Sequence, residues 1–505
     1  MPTLAAEPQS PHVKVAILGA GFGGLGLAIQ LTRRGERDFM IFEKAGRIGG
    51  TWRDNTYPGS GCDVPSHLYS YSFEPNPGWT RKFSLQAEIL AYLETLVGKY
   101  RLAPHLHLNE AVEQARFDEV AGLWRIRTAK GREITADALV GAWGQLNRPA
   151  YAAIPGRESF RGVQFHSAEW DHGADLAGKR IAVIGNGASA VQFVPQLQKV
   201  AGRLTVFQRS ANYIVPRQDG PYSERARAML KTLPILLGMN RALIYWTLEM
   251  RWSAFKQGTK AAQKFTRQAL DYMESQVADP ELRRKLTPDY PIGCKRVLVS
   301  DDYYQALVQP NVSVEDTPIA AIEPEGLRTA DGRLHPADVI VWGTGFETTS
   351  MLGSAEIVGQ GGLSLRQAWA EAPQAYLGIT VAGFPNLFLL YGPNTNLGHN
   401  SIIYMLERQI DYVLQGLDAS RRAGAALSVR QEVMDAFNRR LQEEIKSTAW
   451  AGSCSSWYKT ADGRITNNWS SSTRAYRRAT ARFRMEDYAP VPARAEAQVP
   501  QREAA

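Results

Sequence analysis

Residues 13–31 read Val13-Lys-Val-Ala-Ile-Leu18, Gly19-Ala-Gly21-Phe22-Gly23-Gly24, Leu25-Gly-Leu-Ala-Ile-Gln-Leu31. A β-rich apolar run, the pattern G-x-G-x-x-G and an apolar helical run follow one another without a gap, the order that a dinucleotide-binding unit requires. Gly19 allows the tight turn, Gly21 lets the backbone approach a pyrophosphate, and Gly24 lets helix and strand pack closely. The helix N-terminus then offers N–H groups and positive potential to the phosphates. A second strand, Asp38-Phe-Met-Ile-Phe42, ends at Glu43, whose carboxylate can accept hydrogen bonds from a ribose diol.

The design recurs downstream. Lys179-Arg-Ile-Ala-Val-Ile184 is a strand, followed by Gly185-Asn186-Gly187-Ala188-Ser189-Ala190 and by a second strand, Leu204-Thr-Val-Phe207. Where the first unit has Phe42-Glu43, this one has Phe207-Gln208 and then Arg209-Ser210. A carboxylate there would repel a 2′-phosphate, whereas an arginine and a hydroxyl would bind it. The first unit therefore suits FAD or NAD, and the second suits NADP. Thr128 to Asp137 also resembles Thr329 to Asp338: each carries a Gly-Arg turn typical of a hairpin and runs into an apolar strand ending in small residues, Ala138–Gly144 and Val339–Gly345.

The sequence thus predicts an α/β fold of two nested Rossmann-like dinucleotide-binding domains with an inserted helical subdomain. The FAD-binding domain takes residues 1–150 and resumes over 346–487. The NADP-binding domain takes 151–219 and 291–345. The helical insert, rich in Ala, Leu, Lys, Arg and Met, takes 220–290. The last stretch, 488–505, is rich in Ala, Pro, Gln and Glu and reads as a disordered tail.

Composition sets the outer bounds. The 505 residues, 44% apolar and 21% charged, exclude a disordered, collagenous or coiled-coil chain. With 58 Lys and Arg against 50 Asp and Glu, the net charge of +8 permits an anionic partner without naming one. No nucleic-acid partner is expected. Cys62, Cys294 and Cys454 are too few for a disulfide scaffold and too far apart for a zinc site, so no metal and a reducing, cytoplasmic home are expected. The first residues, Met1-Pro-Thr-Leu-Ala-Ala-Glu-Pro8, lack a charged stretch followed by an apolar core, so no secretory signal is expected from them. The stretch Leu233–Met250, interrupted by Pro234, Asn240, Arg241 and Glu249, reads as a buried or amphipathic helix, with a membrane-surface helix as the alternative and no stable insertion.

Two longer patterns add chemistry. Phe160-Arg-Gly162-Val-Gln-Phe-His166-Ser-Ala-Glu-Trp170-Asp171 fits F-x-G-x-x-x-H-x-x-x-W-[PD]. Gly49-Gly50-Thr51-Trp52-Arg-Asp-Asn-Thr-Tyr57-Pro58-Gly59-Ser-Gly-Cys-Asp63 fits [AG]-G-x-W-x(4)-[FY]-P-G-x(3)-D. On these the chain resembles the type I Baeyer–Villiger monooxygenases, class B flavoproteins, over nearly its whole length. The related N- and S-oxidising flavin monooxygenases usually carry Tyr or Phe where this chain has Trp170. Trp143, bulky for the small-residue return of the first unit, and Ser210, in place of Thr, depart from the pattern.

The resemblance implies an NADPH- and O2-dependent oxidation of ketones to esters or lactones through a C4a-peroxyflavin. The alternative is a flavin monooxygenase acting on sulfur or nitrogen. It implies Arg296, in Lys295-Arg296-Val-Leu-Val-Ser-Asp-Asp-Tyr-Tyr304, as the charge that stabilises the reacting anion, with Asp63 to orient it. Gly19, Gly21, Phe22, Gly24, Glu43, Gly50, Thr51, Trp52, Asp63, Tyr69 and Asn400 would hold FAD. Gly185 to Ala190, Arg209, Ser210, Lys295 and Trp457 would hold NADP. Phe160, Gly162, His166 and Trp170 form the linker fingerprint, in which His166 would couple domain movement to NADP binding. Asn400 or Ser401 would cap the helix that begins at Ile402. A monomer or weak oligomer acting on a small ketone is expected.

Overall fold

The computed structural model describes residues 10–491 except 348–350, 352, 354, 455 and 461. The quoted stretch forms strand β1 (His12–Leu18) and helix α1 (Phe22–Arg33), followed by β2 (Phe39–Phe42), β3 (Leu106–His107), β4 (Val112–Asp118), β5 (Leu123–Thr128) and β6 (Glu133–Gly141). The second unit opens with β7 (Val163–His166), β8 (Arg180–Ile184), α2 (Ala188–Gln198) and β9 (Arg203–Phe207). Four helices then follow: α3 (Glu224–Thr232), α4 (Pro234–Met250), α5 (Lys260–Gln276) and α6 (Pro280–Leu286). The later elements that matter here are β10 (Val312–Glu315), β11 (Val339–Trp342), β12 (Glu356–Val358), β13 (Leu387–Leu389), α7 (Ile402–Ala423), β14 (Ala426–Val429) and β15 (Tyr488–Val491).

The first sheet runs β12-β4-β5-β6-β1-β2-β3, with β13 pairing β6 beyond the part that meets β5. Its centre, β1 against β2 and β6, is parallel, and its strands carry continuous apolar runs because both faces are covered. The second sheet, β10-β9-β8-β11-β7, is parallel throughout. The two hairpins close alike: the Gly131 N–H donates to Thr128 O at 2.9 Å and the Thr128 N–H to Arg132 O at 3.0 Å, while the Gly332 N–H donates to Thr329 O and the Thr329 N–H to Arg333 O, both at 2.9 Å. An internal repeat visible in ten residues of sequence is therefore a repeat of backbone.

The chain leaves the first sheet and returns to it along one seam. Pro149 bridges Phe346, the Ala150 N–H donates to Gly345 O at 2.9 Å, and the Glu347 N–H donates to Arg148 O at 2.9 Å. This pairing of the outgoing and returning strands is what nests one unit inside the other.

Two expectations need correction. Composition from Tyr488 onward reads as a tail, but Tyr488–Val491 pair antiparallel with Ala426–Val429. The Tyr488 ring stacks on Phe483 at 4.1 Å, and its hydroxyl meets those of Tyr412 and Thr380 at 3.0 Å, so one buried aromatic holds the strand. Residues 492–505 lie outside the described residues. Cysteine number and spacing point to no bridge, yet Cys294 and Cys454 are disulfide-bonded across 160 residues. Spacing cannot reveal such a pair, because only the folded chain makes the two neighbours. Cys62 is free and buried.

Candidate active site between two nucleotide-binding units

The turn after β1 is built for backbone approach. Gly19 has φ +116°, and a Cβ there would lie 2.5 Å from Ala142 O. A Cβ on Gly24 would lie 1.9 Å from Gly19 O, so only glycine lets α1 start against the loop. Helix α1 begins at Gly21 with no side-chain cap, which leaves its first N–H groups free to meet an anion. A cavity opens in front of it, lined by Gly19, Gly21, Phe22, Glu43, Gly50, Thr51, Trp52 and Tyr69. The Trp52 indole N–H donates to the Tyr69 hydroxyl at 3.2 Å. The uncapped helix, the glycine floor and the acid at the end of β2 fit a dinucleotide.

Glu43 is more constrained than its motif shows. Its carboxylate accepts the Ala20 and Ala45 N–H groups at 3.0 Å each and pairs with Arg53 at 2.9 Å. Arg53 also lines the cavity. Burial works against its charge, but Asp54 and Glu43 outweigh that and hold the guanidinium above its ordinary value. Arg53 occupies an unspecified position of the second signature, so no pattern points to it. Trp143, the departure in the small-residue return, also lines the cavity, and its ring packs where a side chain on Gly141 would stand. Its N–H donates to Met351 O at 2.7 Å.

The second unit repeats the turn. Gly185 has φ +107°, its would-be Cβ lies 2.4 Å from Gly343 O, and α2 starts at Gly187 without a side-chain cap. Ala188, Ser189 and Ala190 form its first turn. The Asn186 carboxamide donates to Gln208 Oε1 at 2.8 Å and Ser210 O at 2.9 Å, bracing the end of β9. Beyond it, Lys295 Nζ donates to Ser210 Oγ at 2.5 Å and sits 4.6 Å from the centre of the Tyr290 ring. Burial and the charge of nearby Arg209 pull Lys295 down from its ordinary value against Asp289. Arg209 is exposed and forms no ion pair among the described residues. Three groups suited to a phosphate therefore converge where the first unit has Glu43. Trp457, half-buried, lies 4.5 Å ring to ring from Tyr458.

Between the units stands the pair Arg296–Asp63. The guanidinium donates twice to Asp63 Oδ2, from Nε at 3.0 Å and from Nη2 at 2.5 Å. The side chains are 31% and 28% accessible, so the pair is partly open to solvent while its charges are screened by the surrounding protein. Asp63 holds Arg296 above its ordinary value. Burial opposes the charge of Asp63, but Arg296 and Arg217 outweigh it and keep the carboxyl below the usual range. Arg217, another residue that no motif marks, donates to Cys62 O at 2.7 Å. Half-buried Tyr391 and fully buried Tyr458 stand within reach of Arg296's charge, and burial nevertheless pushes Tyr458 up to about 12.

The two long patterns meet in space. Tyr57 of the second signature lies 6.5 Å from Trp170 of the linker, and both pack on Phe193 of α2, at 5.8 and 5.5 Å. The Tyr57 hydroxyl donates to Gln192 Oε1 at 3.0 Å. Phe160 is buried, and a Cβ on Gly162 would lie 2.3 Å from Asp338 O. His166 ends β7 opposite Trp342, fully buried, and its Nδ1 accepts the Ala168 N–H at 3.1 Å. Burial lowers its pKa.

At the C-terminal helix, Ser401 is the cap: its hydroxyl accepts the Ile403 N–H at 3.3 Å. Ile402, Ile403 and Leu406 line the cavity, but Asn400 and Gly24 do not, and neither does Asp63. Asn400 stands at the start of this helix, and its carboxamide is engaged by protein groups. It donates to Glu249 Oε2 at 2.9 Å and accepts the Ser401 N–H at 2.8 Å. Glu249, projecting from α4, also accepts Thr473 Oγ1 at 2.7 Å and the Arg474 N–H at 3.1 Å. Burial opposes its charge, yet His399 and these donors draw it down to about 2.

Two uncapped, glycine-floored helix starts, with an Arg–Asp ion pair joining the units that carry them, define a dinucleotide-binding protein with two such sites. Residues 16–225 match the pyridine nucleotide-disulphide oxidoreductase family. A Baeyer–Villiger monooxygenase of Pseudomonas aeruginosa is 44% identical over 97% of this chain and 93% of its own length. Among solved structures, an oxidised steroid monooxygenase bound to NADP superposes with a TM-score of 0.83, 30% identical, over 93% of this chain and 97% of that one. A complex of OTEMO with FAD and NADP gives 0.84 at 27% identity, over 94% and 98%. The chain belongs to the Baeyer–Villiger monooxygenase family.

Proposed function

We propose that this chain is an NADPH- and O2-dependent flavin monooxygenase that oxidises ketones to esters or lactones. The Arg296–Asp63 pair between the two units carries the reading, with family membership beside it. FAD, held against α1 by the loop from Gly19 to Gly24 and by Glu43, Gly50, Thr51, Trp52 and Tyr69, supplies hydride acceptance from NADPH and electron delivery to O2. Ser210, Lys295 and Arg209 bind the 2′-phosphate of NADPH, and Gly185 to Ala190 its pyrophosphate. Trp457 closes on the nicotinamide side, and His166 transmits NADP binding through the linker.

Arg296 is permanently charged and preorganised, so it lowers the energy of an oxyanion without reorientation at the moment of reaction. Asp63 fixes the fork of that guanidinium. Trp170 packed against Tyr57, together with the Arg–Asp pair, favours carbonyl chemistry over sulfur or nitrogen oxidation. We place the enzyme in the cytoplasm, where NADPH is made, working as a monomer or weak oligomer. There the Cys294–Cys454 bond would exchange with the thiol pool.

The test is direct. The flavin-loaded enzyme, supplied with NADPH, 18O2 and a cyclic ketone, should yield a lactone carrying one labelled oxygen. Sulfoxide from a sulfide with no lactone from any ketone, or hydrogen peroxide as the sole product, would overturn the reading. Arg209→Ala should raise KM for NADPH by about 10–100-fold and leave use of NADH unchanged, since a charged hydrogen bond contributes about 1.5–3 kcal/mol. Steady-state kinetics with both nucleotides checks it.

A further inference from the structure

Large exposed apolar side chains are scattered singly over the described surface except on the helical insert. There Ile235, Met239, Leu243, Trp246 and Met250 are between 47% and 72% exposed. Their spacing places all five along one stripe of α4. The opposite side of the same helix is fastened down: Leu237 and Leu248 are buried, and Arg241 donates to His67 O at 2.7 Å, while Glu249 at the edge of the stripe is buried and bonded inward. The stripe is therefore held outward by a docked helix rather than left by a loose one. A contiguous apolar strip of this kind marks an interaction site.

Charge says what kind. From Ser223 to Arg267 the sequence has nine Lys and Arg and two Glu, and one of the two, Glu249, is buried and bonded inward. That segment alone holds nearly the whole positive excess of the chain. A second basic element adjoins it. The Arg474 guanidinium lies 5.3 Å from the Trp246 ring, and Arg477 and Arg478 on the same short helix are exposed and form no ion pair among the described residues. A second copy of the chain meeting this face through a two-fold axis would set arginine against arginine with no acid to compensate. An anionic bilayer meets both demands: its headgroup boundary accepts a shallow apolar stripe, its phosphates accept the rim of cations, and tryptophan favours that interface. Among the described residues no helix is long and apolar enough to cross a membrane, so the contact is with the surface.

We propose that α4, flanked by the Arg474–Arg478 helix, is an interfacial docking face for an anionic lipid surface. The inference rests on surface shape and charge and does not depend on the oxidation chemistry.

Sedimentation of the flavin-loaded full chain with sucrose-loaded vesicles tests it. The chain should pellet with vesicles of phosphatidylcholine and phosphatidylglycerol, and raising the salt to about 0.5 M should weaken binding at least about tenfold. Ile235→Glu with Leu243→Glu, and separately Arg477→Glu with Arg478→Glu, should each weaken it at least about tenfold. All four side chains point to solvent, so melting temperature and NADPH oxidation should stay unchanged. No pelleting with the anionic vesicles, undiminished pelleting of either variant, or equal pelleting with pure phosphatidylcholine would overturn the proposal. So would a concentration-dependent dimer that the Ile235→Glu/Leu243→Glu variant abolishes in the absence of vesicle binding, which would give the face to a second copy.

Discussion

Arg296→Ala should leave NADPH oxidation running while ester formation falls by about 10²–10³-fold, the size of loss seen when one preorganised electrostatic stabiliser is removed. The two readouts separate because Arg209, Ser210 and Lys295, the proposed ligands of the 2′-phosphate, belong to the same unit as Arg296 but keep their own side chains and the Lys295–Ser210 contact. Arg296→Lys keeps a charge but loses the two-point fork on Asp63 Oδ2, so it should recover only part of the loss. Asp63→Ala should also lower ester formation, because the guanidinium is then unaligned. It should cost stability toward the low end of about 3–5 kcal/mol, since both partners are partly accessible to solvent. Product analysis beside NADPH consumption checks the first effect, and thermal melting the second. Ester formation at the normal rate in Arg296→Ala would mean that another cation does this work, and Arg217 would be the next candidate.

Gly24→Ala should give a protein that purifies without flavin and melts lower, by about 3 kcal/mol or more, because the clash is with backbone. The added methyl would stand 1.9 Å from Gly19 O and 3.2 Å from Ile17 Cγ2. A carbonyl in a tight turn cannot swing aside as a side chain can, so the first turn of α1 must lift off β1 and take its free N–H groups with it. The second unit supplies an internal control. Its corresponding residue is already Ala190, fully buried, so Ala190→Gly should leave NADPH binding nearly intact. Flavin absorbance of the purified variants and their melting curves decide the matter. Normal flavin content in Gly24→Ala would show that the helix start tolerates displacement.

The difference between what was legible in the sequence and what was not follows the range of the interactions. Gly19 to Gly24, Glu43 and the matching residues of the second unit are read from contiguous chain, because strand, turn and helix follow one another without a gap, although Gly19 and Gly185 answer to the distant carbonyls of Ala142 and Gly343. The hairpins at Gly131 and Gly332 are equally local. Arg53 and Arg217 were not legible: each acts through a partner from another element, Glu43 for the first and the Cys62 carbonyl for the second. Asn400 shows the same limit from the other side. As a cap candidate beside a helix it reads correctly as local chemistry, but Glu249, far away in sequence on α4, claims its carboxamide and leaves the cap to Ser401. The last strand escaped for a compositional reason. Pro490 in an Ala-rich stretch argues against a strand, yet an edge position needs no N–H from it, and Tyr488 alone supplies the anchor.

Cys294 stands immediately before Lys295 and Arg296, and Cys454 shortly before Trp457 and Tyr458. Their bond ties together two loops that stand 160 residues apart in the chain. A hinge that swings the second unit against the first must then carry both loops or neither. Reduction of that one sulfur pair would remove the tie and free each loop to move without the other.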